Sequence, residues 1–234
     1  MNLERIKQSS IALMVVTILS KLLGMCRDLV LANCFGTSNI SDAYLIAASV
    51  PTLLFYFIGH ALSTAYIPMY NKIKTEKGVG ASQNFSNNIL NVSLILSSVL
   101  VAFLMIFPNL VVKIFAAGFD LETNSIAAKM IFISTPSIYF MCIINVLGGY
   151  LSANRNFLAP AAVSFPRNIA LIAFIVVASK FGIFWLGAGL LICYLLEMLF
   201  LIPFAVKKSY KYKVTFNWKD EYLTETLYMV APVF

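Results

Sequence analysis

The sequence predicts an all-α polytopic membrane protein, a six-helix transmembrane bundle followed by the start of a seventh helix. Three observations lead there. Of the 234 residues, 60% are hydrophobic and 12% charged, whereas a soluble domain carries about a quarter charged residues. The mean hydropathy is +0.86. The apolar residues also collect in runs of about 20 or more, the length that crosses a hydrocarbon core about 30 Å thick. Runs of this length without strict alternation must be helices, because in lipid only helices and closed barrels satisfy the backbone.

The first run covers about 9–33. Arg5 and Lys7 before it imitate a signal peptide, but Lys21, Arg27 and Asp28 follow without a small-x-small cleavage site. Met25 is too bulky for a lipoprotein signal at Cys26, so the run is kept as a first spanning helix. Further runs cover about 42–70, 87–107, 126–151, 160–179 and 183–206, and a seventh opens near 223. The chain stops inside it, at Pro232, Val233 and Phe234, so a truncated chain is expected. This divides the sequence into a six-helix lobe, 1–206, a basic amphipathic linker, 207–222, and the start of a seventh helix, 223–234.

The net charge of +7 reads first as orientation. Arg5, Lys7, Lys72, Lys74, Lys77, Arg155, Lys207, Lys208, Lys211, Lys213 and Lys219 fall on one side of the bundle, eleven of the 17 cations. The other side holds Lys113 and Lys180. By the positive-inside rule the N-terminus and the linker are cytoplasmic, and no nucleic-acid partner is needed to explain the charge. The linker mixes lysines with Tyr210, Tyr212, Phe216, Trp218 and Tyr222, a composition suited to membrane lipids of an anionic leaflet. Six spans return the chain to its starting side, so a second such unit would insert in the same sense, as in parallel-repeat transporters. Cys26, Cys34, Cys142 and Cys193 are scattered and His60 is the one histidine. No metal site, cofactor or catalytic triad is expected from them.

Ionisable groups within spans are costly and usually face a polar interior. On the first helix Thr17, Ser20, Lys21, Gly24, Arg27 and Asp28 fall within a sector of about 120° at 100° per residue. On the second, Asp42, Ser49, Thr52, Tyr56, Gly59, His60 and Ser63 form a similar stripe, with Pro51 as a point of kinking. Two such stripes predict a hydrated cavity, to which Asn145, Arg167, Asn168 and Glu197 are candidates to contribute. Lys129, at the start of its run, reads as interfacial.

These residues also carry a resemblance. Ser20-Lys21-Leu22-Leu23-Gly24-Met25-Cys26-Arg27-Asp28, then Phe35-Gly36 and Asp42-Ala43-Tyr44, resemble the opening signature of MurJ/MviN-type lipid II flippases. Val50-Pro51-Thr52-Leu53-Leu54, Ala61-Leu62-Ser63-Thr64-Ala65-Tyr66-Ile67-Pro68 and Asn154-Arg155-Asn156-Phe157 extend it. The resemblance implies the N-lobe of a two-lobe, MATE-like flippase fold in the bacterial plasma membrane, whose C-terminal lobe is missing from this chain. It implies transport of undecaprenyl-diphosphate-linked peptidoglycan precursor by alternating access. By the same likeness Arg27 matches an arginine of the family's cationic cavity, Asp42 matches its second-helix acid, and Lys21 stands where many members have arginine. Many members also carry an arginine pair where this chain reads Phe55-Tyr56, and Arg167 is the candidate to replace that charge.

The expected substrate-binding set is therefore Ser20, Lys21, Arg27, Asp28, Asp42 and Arg167, with no catalytic residue. A flippase of another undecaprenyl-linked oligosaccharide fits the same residues. A multidrug exporter of this fold calls for an acidic cavity, whereas the two innermost charges of the first helix are positive. An enzyme on a lipid-linked sugar has neither clustered carboxylates nor an HExxH or nucleophile motif behind it. A non-transporting scaffold for wall synthesis also stays open for a truncated chain.

Overall fold

Gly36 and Gly78 set the course of the first 106 residues. The structure, a computed structural model, describes residues 3–230, and among them the side chains of 10–56, 59 and 65–226. The side chains of Arg5, Lys7, His60 and Ser63, and all of Pro232, Val233 and Phe234, lie outside the described residues. Helix α1 (Leu3–Phe35) ends where Gly36 turns to φ 59°. Ser38 then caps α2 (Asn39–Ile106): its hydroxyl accepts from the Ser41 amide while the Ser41 hydroxyl accepts from the Ser38 amide.

Within α2, Gly78 has φ 83° and ψ 178°, a region that residues with a Cβ essentially never occupy. There α2 folds back on itself. The Tyr66 ring lies 5.9 Å from Phe85 and its hydroxyl bonds Ser86, although these residues flank the break by 12 and 8 positions. Further along, Ala43, Ala47 and Val50 of the first arm share a buried cluster with Val101 and Leu104 of the second. One α2 thus supplies two antiparallel rods. The sequence reading starts the third run at 87, because 79–86 is polar; the helix itself resumes directly after Gly78.

Short helix α3 (Pro108–Phe115) tucks Val111 and Val112 inward at the far end. Asp120 then opens α4 (Leu121–Ser134), and hydrogen bonds from the Thr123 hydroxyl and amide hold its carboxyl below the usual range. At Thr135 and Pro136 the chain bends by 49° into α5 (Ser137–Ala153), since proline lacks the amide that would continue the ladder. The short α6 (Leu158–Ala162) leads into α7 (Ser164–Phe181). Gly182, at φ 104°, turns the chain into α8 (Phe184–Lys207), and α9 (Glu221–Val230) begins after the linker.

Among the described residues four stretches are long and apolar enough to cross a membrane, and the bent α4–α5 pair makes a fifth. One of the four, Ala65–Ile106, has 42 residues and contains the Gly78 break. At about 1.5 Å per residue each arm of α2 is long enough to span by itself, which brings the rods to six. The chain is an all-helical, multi-pass membrane protein.

The linker is not helical: 210–217 has no regular secondary structure and lies against the second arm of α2. Asparagines one turn apart there replace the missing backbone partners. Asn87 Nδ2 donates to the Lys211 carbonyl (3.1 Å), Asn91 Nδ2 to that of Thr215 (2.8 Å), and Asn88 Nδ2 to that of Asn217 (2.9 Å). Asn88 Oδ1 accepts from the Asn217 amide at 2.8 Å. Tyr210 and Tyr212 return hydroxyl hydrogen bonds to Asn87 and Asn91. The strap delivers α9 onto α2, where Lys72 meets Glu225 at 2.7 Å.

Asn88 is buried, and its loss removes the partner of the Asn217 amide and one of the two donors to the Asn217 carbonyl, the other being the Asp220 amide at 3.4 Å. Asn88→Leu is expected to cost about 2 kcal/mol and to speed tryptic cleavage at Lys211, Lys213 and Lys219. An unchanged cleavage rate would show that the asparagines do not hold the strap.

Candidate functional site

A cavity of about 410 Å³ opens between α1, the first arm of α2, α7 and α8. Its polar wall is made by Arg27, Asp28, Ser49, Thr52, Arg167 and Tyr194, and its floor by Leu171, Leu190 and Cys193. These polar groups arrive from four helices, each for a local reason. Helix α1 packs against α7 along the edge that carries Gly24. A Cβ there would sit in ordinary contact, 4.0 Å from Asn168 Nδ2, which places Asn168 of α7 one turn from Arg27 on this edge. Arg27 donates through Nε (2.9 Å) and Nη2 (2.7 Å) to Asp28 Oδ1, and through Nη1 (3.3 Å) to Asn168 Oδ1.

Arg167 and Glu197 lie on adjacent antiparallel helices, each fifteen residues from the Gly182 turn. Arg167 Nη1 stands 3.4 Å from Glu197 Oε1, and its guanidinium lies 5.9 Å from the centre of the Tyr194 ring. The Tyr194 hydroxyl shares a 3.1 Å hydrogen bond with Thr52 Oγ1. Thr52 already donates to the Ala48 carbonyl at 2.9 Å, so Tyr194 is the donor. That bond ties α8 to α2 across the cavity mouth. Two arginines thus face one space, each with a single acid beside it.

Of the residues expected from sequence, Arg27, Asp28 and Arg167 line this cavity together. Ser20 lies on the covered edge of α1, its hydroxyl buried without a hydrogen-bond partner among the described residues. Lys21 is exposed and does not line the cavity; nor does Asp42, exposed in the first turn of α2. Asn145 donates instead to the Gly59 carbonyl at 3.2 Å. Lys129 lines a separate cavity of about 380 Å³ beside Pro108 and Asn109, near the α3 end. Tyr194 and Tyr44, both in the cavity wall, were not singled out from the sequence as cavity residues, because an aromatic residue in an apolar run gives no signal of its own.

A family model described as lipid II flippase MurJ matches residues 31–234. The chain belongs to the MurJ lipid II flippase family. A curated relative from Thermosipho africanus, lipid II flippase MurJ, is 32% identical over 207 residues, covering 88% of this chain and 43% of its own. A probable lipid II flippase MurJ of Buchnera aphidicola subsp. Baizongia pistaciae is 37% identical over 173 residues, 73% of this chain and 34% of its own. The chain therefore spans less than half the length of these relatives. A solved structure of lipid II flippase MurJ in an inward closed conformation superposes with a TM-score of 0.78 at 29% identity. That match covers 95% of this chain and 46% of the other. An outward-facing multidrug resistance MATE transporter of the MOP superfamily matches at a TM-score of 0.69 and 18% identity, and shares the fold alone.

Proposed function

We propose that this chain forms the first lobe of a lipid II flippase of the bacterial inner membrane. It would carry undecaprenyl-diphosphate-linked peptidoglycan precursor from the inner to the outer leaflet by alternating access. The observation that carries the proposal is the convergence of Arg27 and Arg167 on one cavity, with Asp28 as the single acid in its lining. A diphosphate bearing sugars and peptide cannot cross hydrocarbon unaided, and a partly hydrated cationic pocket supplies what it lacks. Arginine suits the task, because its planar fork meets phosphate oxygens with paired charge-assisted hydrogen bonds. Relocation breaks no covalent bond, so the residues need only bind and release. Asp28 limits the positive charge and holds Arg27 in place when no anion is present. Lys21, six residues before Arg27 on α1, and Ser20 extend the polar path toward the N-terminal end, while Asp42, in the first turn of α2, adds an acid outside the cavity lining.

The division into a lobe, 1–206, a linker, 207–222, and the start of a seventh helix, 223–234, fits this reading, and a second lobe would close the cavity from the other side. With eleven cations on the side of the N-terminus and the strap, both are placed in the cytoplasm by the positive-inside rule. The arginine-bearing lining disfavours an exporter of organic cations. The test is complementation: the full-length protein should restore growth to cells depleted of their own lipid II flippase. Membrane-inserted protein that leaves them unable to grow overturns the proposal.

A further inference from the structure

The two arginines of the cavity are held differently. Arg27 has partners on Nε, Nη1 and Nη2. Arg167 has a buried Nε without a hydrogen-bond partner among the described residues. Its approach to Glu197, at 3.4 Å, is longer than a strong charge-assisted hydrogen bond. Glu197 is 3% exposed at its side chain, and its Oε1 likewise accepts no hydrogen bond. A buried carboxylate with an unfilled acceptor, facing a guanidinium with an unfilled donor, is an ion pair that leaves both members underused. A residue kept only for packing would be better replaced by an apolar one.

We infer that Glu197 is an internal competitor for Arg167: it holds the guanidinium when the cavity is empty, gives it up to an anionic ligand, and recaptures it to promote release. This rests on the flippase reading above and adds a control on affinity to it. Arg167 lines the cavity and its side chain is 32% exposed although its Nε is buried, so it is the guanidinium that turns to an entering diphosphate, and the turn brings the unpartnered Nε out with it. Glu197 cannot follow, because it is buried on α8. Once Arg167 turns to the ligand, the acid is left uncompensated in a poorly polarisable surrounding, and that penalty is subtracted from the binding free energy. A carrier gains from the subtraction, since an anion bound too firmly is not released on the other side. Tyr194, with its ring under the guanidinium and its hydroxyl tied to Thr52, keeps Arg167 from swinging out of the cavity in either state.

The experiment measures binding of undecaprenyl diphosphate to the full-length protein in nanodiscs, with undecaprenol, which has no phosphate, as control. Glu197→Gln keeps the shape and removes the charge. It is expected to bind the diphosphate at least about tenfold more tightly, the size set by removing a close charge pair from competition, and to transport more slowly. Glu197→Asp, which keeps the charge but shortens its reach, should fall between the two. In an Arg167→Gln background neither substitution should tighten binding. Unchanged or weaker binding by Glu197→Gln, in protein whose diphosphate binding still depends on Arg27, overturns the inference and leaves the flippase reading standing. Equal affinity of the parent protein for undecaprenol and the diphosphate overturns both.

Discussion

Arg27→Ala is expected to abolish complementation of flippase-depleted cells while the protein still reaches the membrane. The side chain makes three hydrogen bonds, two to Asp28 and one to Asn168, and its removal does more than delete one cation. Asp28, 61% exposed at its side chain, keeps its charge and its hydration, so folding should be little affected. The lining, however, changes from two arginines against one acid to one against one, and its net positive charge disappears. Loss of a charged partner from a partly buried pair costs about 2–5 kcal/mol in binding, enough to weaken a diphosphate at least thirtyfold. Arg27→Lys should recover part of the activity, since it restores the charge without the fork. Measured by growth and by membrane abundance on the same cells, full growth of Arg27→Ala would remove this residue from the site.

How far this site could be read from the sequence depends on the residue. Arg27 and Asp28 announce themselves, because charges within an apolar run are costly and need a polar surrounding. The helical wheel put Ser20, Lys21 and Arg27 in one sector, yet the structure divides that sector. Helix α7 meets the edge with Gly24 and Arg27 through Asn168, the Ser20 hydroxyl is buried, and Lys21 is left exposed. A wheel gives directions on one helix and says nothing about which neighbour covers them. The Arg167–Glu197 pair was legible in principle, since a tight turn at Gly182 makes residues fifteen positions before and after it neighbours. What hid the pairing was that an acid and a base thirty residues apart have no spacing rule until the hairpin is assumed. The linker shows a different limit. Its lysines and aromatics suggested an amphipathic segment on an anionic leaflet, and they give no sign of Asn87, Asn88 and Asn91 on another helix, whose amides offer a non-helical chain the partners it would otherwise lack.

The same α7–α8 hairpin that pairs Arg167 with Glu197 depends on Gly189. A Cβ built there would lie 2.6 Å from Phe174 Cβ and 3.0 Å from its Cγ. The Phe174 Cβ is fixed to the backbone of α7, so no change of rotamer moves it away, and relief requires the two helices to separate. Gly189→Ala is therefore expected to destabilise the protein by about 1–3 kcal/mol, the usual cost of overpacking, and Gly189→Leu by more. Small residues serve this purpose in membrane bundles because close backbone approach is itself a source of helix association. Gly80, where an added Cβ meets nothing within 4 Å, is the matched control. Gly80→Ala should be neutral or stabilise by about 0.4–1 kcal/mol through the unfolded chain. Thermal unfolding of the purified variants in detergent distinguishes the two positions, and equal melting temperatures would mean that α7 and α8 are not held at this contact. Gly189 lies eight residues before Glu197 on α8, as Phe174 lies seven after Arg167 on α7. A separation at the glycine therefore lengthens an ion pair that already stands at 3.4 Å, and Gly189→Ala should tighten diphosphate binding in the direction of Glu197→Gln even where the protein remains folded.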